Sequence, residues 1–181
     1  MRTIKEKLRT IYNFFFCLKY PFYRVYHRVE GGKPIYSMTW YDYIPGGWKK
    51  AFGKQLTKDL KTATKGVKDF KIGDVKEKWG SLRIYPAGSA TDEIWDLIHR
   101  YEQLSMCYCQ KCGDPVRYRT KGWVSYLCET CFMQHMRNSS YSTIGEVCKA
   151  YEECRLTEKD IPEPIVINFY KFWDIKKKNN K

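Results

Sequence analysis

Two Cys-x-x-Cys pairs, Cys109/Cys112 and Cys128/Cys131, stand fifteen residues apart, and this spacing constrains the chain more than any other feature. It delivers four thiolates to one tetrahedral zinc ion through two tight turns. Gly113 directly follows the first pair, where a residue free to take positive φ lets backbone amides fold back toward metal-bound sulfur. Four protein ligands close the coordination shell, so the expected cofactor is one structural Zn2+ with no open position for water or substrate. Two neighbours compete for the site: Cys107 could replace Cys109, and His135 could replace Cys131. The four-cysteine set is preferred because both halves then share one knuckle geometry. Cys17, Cys148 and Cys154 have no partner at ligand spacing and read as small apolar residues or exposed thiols.

Eight cysteines without a recognisable secretory leader point to a reducing, cytoplasmic setting in which thiolates stay available to metal. Arg2, Lys5, Lys7 and Arg9 precede the apolar run Ile11 to Leu18, which resembles a signal start, but no small-residue cleavage site follows before Tyr20-Pro21. The run is also too short to span a bilayer. With 43% hydrophobic and 17% aromatic residues, 181 residues can bury a real core, which excludes a disordered chain. The formal charge of +13 calls for an acidic partner. Nucleic acid is the commonest, followed by an acidic protein surface and anionic lipid.

Hydrophobic periodicity divides the chain into an N-terminal basic amphipathic helix with an aromatic segment (1–30), an α+β core (31–108), a zinc ribbon (109–135) and a C-terminal helix with a basic tail (136–181). Residues 3 to 18 place Ile4, Leu8, Ile11, Phe15 and Leu18 on one helical stripe. The stripe either faces the core or, given Phe14-Phe15-Phe16 and the flanking cations, lies on a membrane or a partner. Phe22 to Val29 reads as extended, Gly31-Gly32 as a turn and Pro34 to Trp40 as a strand. Trp48, Phe52, Leu56, Leu60 and Ala63 mark a helix to about Lys65, its lysines on the solvent face, and Ser89 to Asp92 opens another that carries Ile94, Trp95, Leu97, Ile98, Tyr101 and Leu104. A hairpin about Lys121-Gly122 joins Val116 to Thr120 with Trp123 to Leu127. Ile144, Val147 and Tyr151 predict a short helix, Ile165 to Trp173 an edge strand or a groove cover, and Lys176 to Lys181 a basic tail. The fold class expected is α+β, a small mixed domain of helices and antiparallel hairpin with an appended treble or zinc-ribbon-like module.

Phe70 to Trp79 and Ser81 to Tyr85 predict a second hairpin with a two-residue turn at Gly80-Ser81. Its register gathers Lys76, Lys78, Arg83 and Tyr85 on one basic and aromatic face suited to phosphate contact and stacking, or simply to solvation. Val75, Trp79, Leu82 and Ile84 then meet the core, and Glu77 shares that apolar side, which demands a buried partner or a bulge. In the ribbon, Arg117, Arg119 and Lys121 interleave with Tyr118, Trp123 and Tyr126, a second candidate surface for nucleic acid.

No catalytic constellation accompanies these features. His27, His99 and His135 lie on separate predicted elements, and there is no glycine elbow, phosphate-binding glycine loop or pair of histidines with a carboxylate at metal spacing. Glu77 among Lys76, Lys78 and Arg83 is the one cluster arguable toward phosphodiester chemistry, and such mixtures are far more often ion pairs.

The order Gly47-Trp48, then Val75-Lys76-Glu77-Lys78-Trp79-Gly80-Ser81-Leu82-Arg83-Ile84-Tyr85, then a helix, Cys-x-x-Cys-Gly and Gly122-Trp123 to Leu127-Cys128, resembles a family of small uncharacterised proteins of tailed bacteriophages and prophages. The resemblance covers roughly residues 46 to 131. That family's hairpin usually reads Lys-Glu-Lys-Phe-Gly-Gly-Leu-Arg-Phe-Tyr, and its last metal ligand is often histidine where this chain has Cys131. The resemblance supports Cys131 over His135 and implies a phage or prophage origin within a bacterial host cell, without specifying an activity. Two functions fit: a non-catalytic nucleic-acid binder, or an interaction module that inhibits or redirects an acidic host nucleic-acid-processing or defence complex. A nucleic-acid-acting enzyme is the third.

Overall fold

The computed structural model describes residues 3–26, 33–120, 124–138 and 165–167. They form an α+β protein whose residues separate into two compact units. The first comprises residues up to Pro45, Phe52–Lys78 and Leu82–Gln103. The second is assembled from three stretches, Gly46–Ala51, Trp79–Ser81 and Leu104 onward.

In the first unit, helix α1 (Ile4–Lys19) starts on a capping box in which Thr3 and Glu6 satisfy each other's backbone amides. Its packing face is not the apolar stripe. Asn13 and Cys17 are buried, with Asn13 Nδ2 donating to the Tyr36 carbonyl at 3.0 Å, while Ile4, Leu8, Ile11, Phe15 and Leu18 are 54–78% exposed. Phe16 decides the orientation: its ring lies 5.7 Å from Tyr23 and 5.4 Å from Tyr41, so the helix turns toward this aromatic cluster. Arg9 adds an ion pair to Asp42 at 3.1 Å.

A 3-10 turn (Pro21–Tyr23) occupies the start of the stretch expected to be extended, and β1 (Arg24–Tyr26) follows, pairing antiparallel with β2 (Pro34–Thr39). The expected Gly31-Gly32 turn lies outside the described residues. Helix α2 (Gly46–Trp48) passes through a π turn (Lys49–Gly53) into α3 (Lys54–Ala63). Phe52, Leu56 and Leu60 are buried as their periodicity predicts, beside Ile94, Leu97, Ile98 and Tyr101 of α4 (Asp92–Ser105) in the same core. Trp95 departs from expectation and stays half exposed.

Strands β3 (Lys71–Lys78) and β4 (Ser81–Ala87) form the hairpin, but its turn is Trp79-Gly80, one residue earlier than predicted. Both residues have positive φ, +52° and +78°, which is the type I′ geometry that matches the strand twist. Moving a two-residue turn by one shifts both strands together, so Val75, Leu82 and Ile84 still face the core and Lys76, Lys78 and Tyr85 still face solvent. Trp79 does not join the core: it sits in the turn itself, 71% exposed. The alternation also slips between Ile72 and Val75, both buried, the pattern expected of an extra residue in the strand. Glu77, on the side of Val75 and beside the turn, is only partly buried.

In the second unit, β5 (Tyr118–Thr120) pairs antiparallel with β6 (Tyr126–Leu127). Helix α5 (Glu129–Asn138) follows immediately. Strand β7 (Ile165–Ile167) pairs parallel with β5 and supplies the added strand anticipated within Ile165 to Trp173. The helix predicted around Ile144 and the tail from Lys176 lie outside the described residues.

Candidate metal centre

Cys109 and Cys112 sit on a knuckle closed by backbone hydrogen bonds: the Gly113 amide donates to the Cys109 carbonyl at 2.8 Å and the Cys109 amide to the Asp114 carbonyl at 2.8 Å. Gly113 has φ +85°, the left-handed conformation its position predicts. The second pair is presented differently from the first. Cys128 precedes α5 and Cys131 lies in its first turn, so a helix N-terminus replaces the expected second knuckle. The physical gain is electrostatic, because free amides and the helix dipole favour thiolate there. A knuckle, a hairpin and a helix whose N-terminal end holds the last two cysteines make up the treble form of a zinc-ribbon-like module.

The four Sγ atoms all lie within 4.8 Å of one another, and Cys112 Sγ is 3.4 Å from Cys128 Sγ. Zn–S bonds of about 2.3 Å in a tetrahedron separate the sulfurs by about 3.8 Å, so the set fits a metal ion of that size. Cys107 and His135 are not part of the group. Burial pushes the Cys109 thiol up, but amides of Cys128, Cys112 and Lys111 pull it down further, leaving it below its ordinary value. Burial pushes Cys112 and Cys131 up, Cys131 to about 11. One buried thiolate is therefore stabilised by the backbone while its neighbours resist ionising, a conflict that a cation at the centre of the four sulfurs removes.

Cys109, Cys128 and Cys131 are buried with Tyr118, Leu127 and Phe132, and Tyr118 stacks on Phe132 at 4.5 Å between ring centroids. The other two stretches of this unit pack on the module, Gly46–Ala51 on the knuckle and Trp79–Ser81 on Val124 and Tyr126. The Gly47 amide donates to the Gln110 carbonyl at 3.0 Å, and Trp48, fully buried, donates Nε1–H to the Tyr108 carbonyl at 2.8 Å. At the hairpin tip, a Cβ on Gly80 would stand 2.7 Å from the Tyr126 ring and 3.1 Å from Val124. Gly47 and Trp48, far from the knuckle in the chain, thus meet it in space. Comparison with known families, with curated proteins and with solved structures finds no match to this chain.

The sequence-predicted binding residues divide between the units. In the first, Lys76 is ion-paired with Asp74 and its Nζ lies 4.8 Å from the centre of the Tyr85 ring, while Lys78 is exposed. Arg83 shares their face but turns to Glu102 at 3.0 Å, and Glu102 also accepts from the Ile84 amide at 3.4 Å. That pairing neutralises one of the three cations expected to form a free patch. Sequence could not reveal it, because Glu102 lies on a helix nineteen positions away. Replacing Glu102 by Gln should lower stability by about 1–2 kcal/mol, read from the urea midpoint, since a partly buried charged hydrogen bond is lost. In the second unit Arg119 lies 5.9 Å from the Tyr126 ring centre and Arg117 is exposed, whereas Lys121 lies outside the described residues.

The residue that sequence reasoning misplaced is Trp79. A bulky side chain at φ +52° costs roughly 1 kcal/mol relative to glycine or asparagine, and here it also leaves a large ring in water. Local preference gave no signal for it, because the first position of a type I′ turn favours asparagine, aspartate or glycine.

Proposed function

We propose that this chain is a non-catalytic protein, organised by one zinc ion, that binds nucleic acid by stacking a base on Trp79 and contacting phosphates through the basic side chains nearby. The exposed Trp79 ring carries the reading. A turn that tolerates backbone strain to hold an indole in solvent is best explained by a ligand for its π-face. Gly80 fixes that tip against Tyr126, over which Arg119 is placed, so ring and guanidinium belong to the same small unit. An unpaired base presents a face that a duplex hides, which makes single-stranded DNA or RNA the preferred form. Zinc is the metal suited to four cysteine sulfurs, and its closed shell assigns it to structure and not to hydrolysis. A phage or prophage origin accords with the hairpin and knuckle motifs.

Titration of the full-length, metal-loaded protein with a labelled single-stranded oligonucleotide tests the proposal. Affinity should fall steeply between about 50 and 200 mM salt. Trp79→Asn should weaken binding about tenfold or more, because one stacked base is worth about 1–3 kcal/mol. The same substitution should leave the fold as stable or more so, since asparagine suits the left-handed turn. Unchanged affinity in Trp79→Asn would remove the stacking role. No binding to any nucleic acid at low salt, with stable capture of an acidic host protein, would replace this reading with that of an interaction module. Metal-dependent turnover of nucleic acid that Glu77→Gln abolishes in folded protein would make it an enzyme.

A further inference from the structure

Helix α1 is attached to its unit by one face and bare on the other. Ile4, Leu8, Ile11, Phe15 and Leu18 follow one another along the helix for about 21 Å, each more than half exposed, and no described residue covers them. Exposed apolar area that is contiguous along four turns differs from scattered surface leucines, which are ordinary. The surroundings of the stripe indicate what covers it. At 100° per residue, Lys7 and Lys19 fall about 60° to either side of the centre of the stripe, and Lys5 lies just beyond Lys19. All three lysines are exposed. Tyr12 and Phe14 stand at the margins, Tyr12 mostly in solvent and Phe14 partly so, its ring edge-on to Tyr36.

Lysines flanking an apolar face, with aromatic rings at its borders, match the interface of an anionic bilayer: the apolar face enters the acyl boundary while ammonium groups reach phosphate level. A second copy fits poorly. Two stripes face to face would bring two rows of lysine together in a chain that already carries +13. No helix among the described residues is long and apolar enough to cross a membrane, so α1 would lie along the surface. The capping box and the Asn13 and Arg9 contacts hold the helix already formed, so docking would not bear the cost of folding it.

We propose that α1 is an in-plane anchor that docks this protein on an anionic lipid surface through Ile4, Leu8, Ile11, Phe15 and Leu18, with Lys5, Lys7 and Lys19 at the headgroups. The inference is independent of nucleic-acid binding, which concerns the other unit. Co-sedimentation of the full-length, metal-loaded protein with phosphatidylcholine vesicles containing about one-third phosphatidylglycerol, at about 150 mM salt, tests it. Binding should exceed that to pure phosphatidylcholine by about tenfold. The double variant Leu8→Glu, Phe15→Glu should lose about tenfold or more of that binding with an unchanged melting temperature, because both side chains are already in solvent. Lys7→Gln with Lys19→Gln should reduce binding to the anionic vesicles alone. The proposal is overturned if the wild-type protein stays in the supernatant, or if the double glutamate variant pellets as fully as wild type, which would assign binding to overall charge. It is equally overturned if the wild-type protein is an oligomer that the double glutamate variant converts to monomer.

Discussion

Replacing Cys112 by Ser, or stripping the metal with a chelator, should unfold the second unit and leave the first folded. The free energy of a structural zinc ion on four such ligands is about 10–16 kcal/mol in small modules, as large as the whole stability of an ordinary domain. The packing around the four sulfurs cannot replace it: among the described residues, the buried cluster beside them consists of little more than Tyr118, Leu127 and Phe132. Hydrogen exchange gives the sharpest readout. Amide protection should vanish in the knuckle and α5, and also at Gly46–Ala51, which docks on that knuckle, and at Trp79–Ser81, which packs on Val124 and Tyr126 of the same unit. Protection around Leu56, Leu60 and Ile98, in the other core, should persist. Elemental analysis should find one zinc per chain. A stoichiometry well below one, with exchange unaffected by chelator, would refute the zinc assignment.

Gly47→Ala should destabilise the protein by about 3 kcal/mol or more, whereas Gly46→Ala one residue earlier should be close to neutral. A Cβ on Gly47 would stand 2.2 Å from the Cys109 carbonyl oxygen and 2.7 Å from the Gln110 carbonyl carbon. Both obstacles are backbone of the metal knuckle, so no rotamer change relieves the clash. Gly113 presses from the other side, its own missing Cβ only 2.5 Å from the Gly47 carbonyl oxygen. At Gly46 nothing lies within 4 Å of the added carbon, and the change serves as an internal control. Denaturant midpoints of the two variants, with metal content measured in parallel, check the expectation. Equal stability of the two would mean that α2 does not seat on the knuckle as described. The close approach also accounts for the Gly47-Trp48 pair as a unit: the missing side chain admits the knuckle, and the indole beside it closes the contact with a hydrogen bond to Tyr108.

The cysteine cluster and its first knuckle are where local sequence and structure agree most closely, because paired cysteines act through spacing. Two residues between cysteines bring paired sulfurs to one centre whatever the rest of the chain does, and Gly113 must be glycine for the knuckle to close. The core faces of α3, α4 and the hairpin were legible for a similar reason: periods of 3.6 and 2 sort side chains before any partner is known. What periodicity cannot state is which of two possible faces a helix buries. The stripe of α1 has the stronger apolar pattern, yet Asn13, Cys17 and Phe16 face inward, since Tyr23 of the next turn and, from elements further along the chain, Tyr41 and the Tyr36 carbonyl await them. The same limit applies to Arg83, an exposed cation by pattern and an ion-pair partner of Glu102 in space.

Sequence by itself therefore determined which four cysteines cluster, the core faces of α3 and α4, and the inward positions of Val75, Leu82 and Ile84 in the hairpin, all set by covalent spacing and backbone geometry within a few residues. Only the tertiary structure decided that Trp79 stands in solvent at a strained turn, that Gly47-Trp48 seats on the knuckle while Gly80 packs on Tyr126, and that the α1 stripe is left uncovered. Each of these depends on what another part of the chain places opposite, and free energy gained across such distances outweighs local preference.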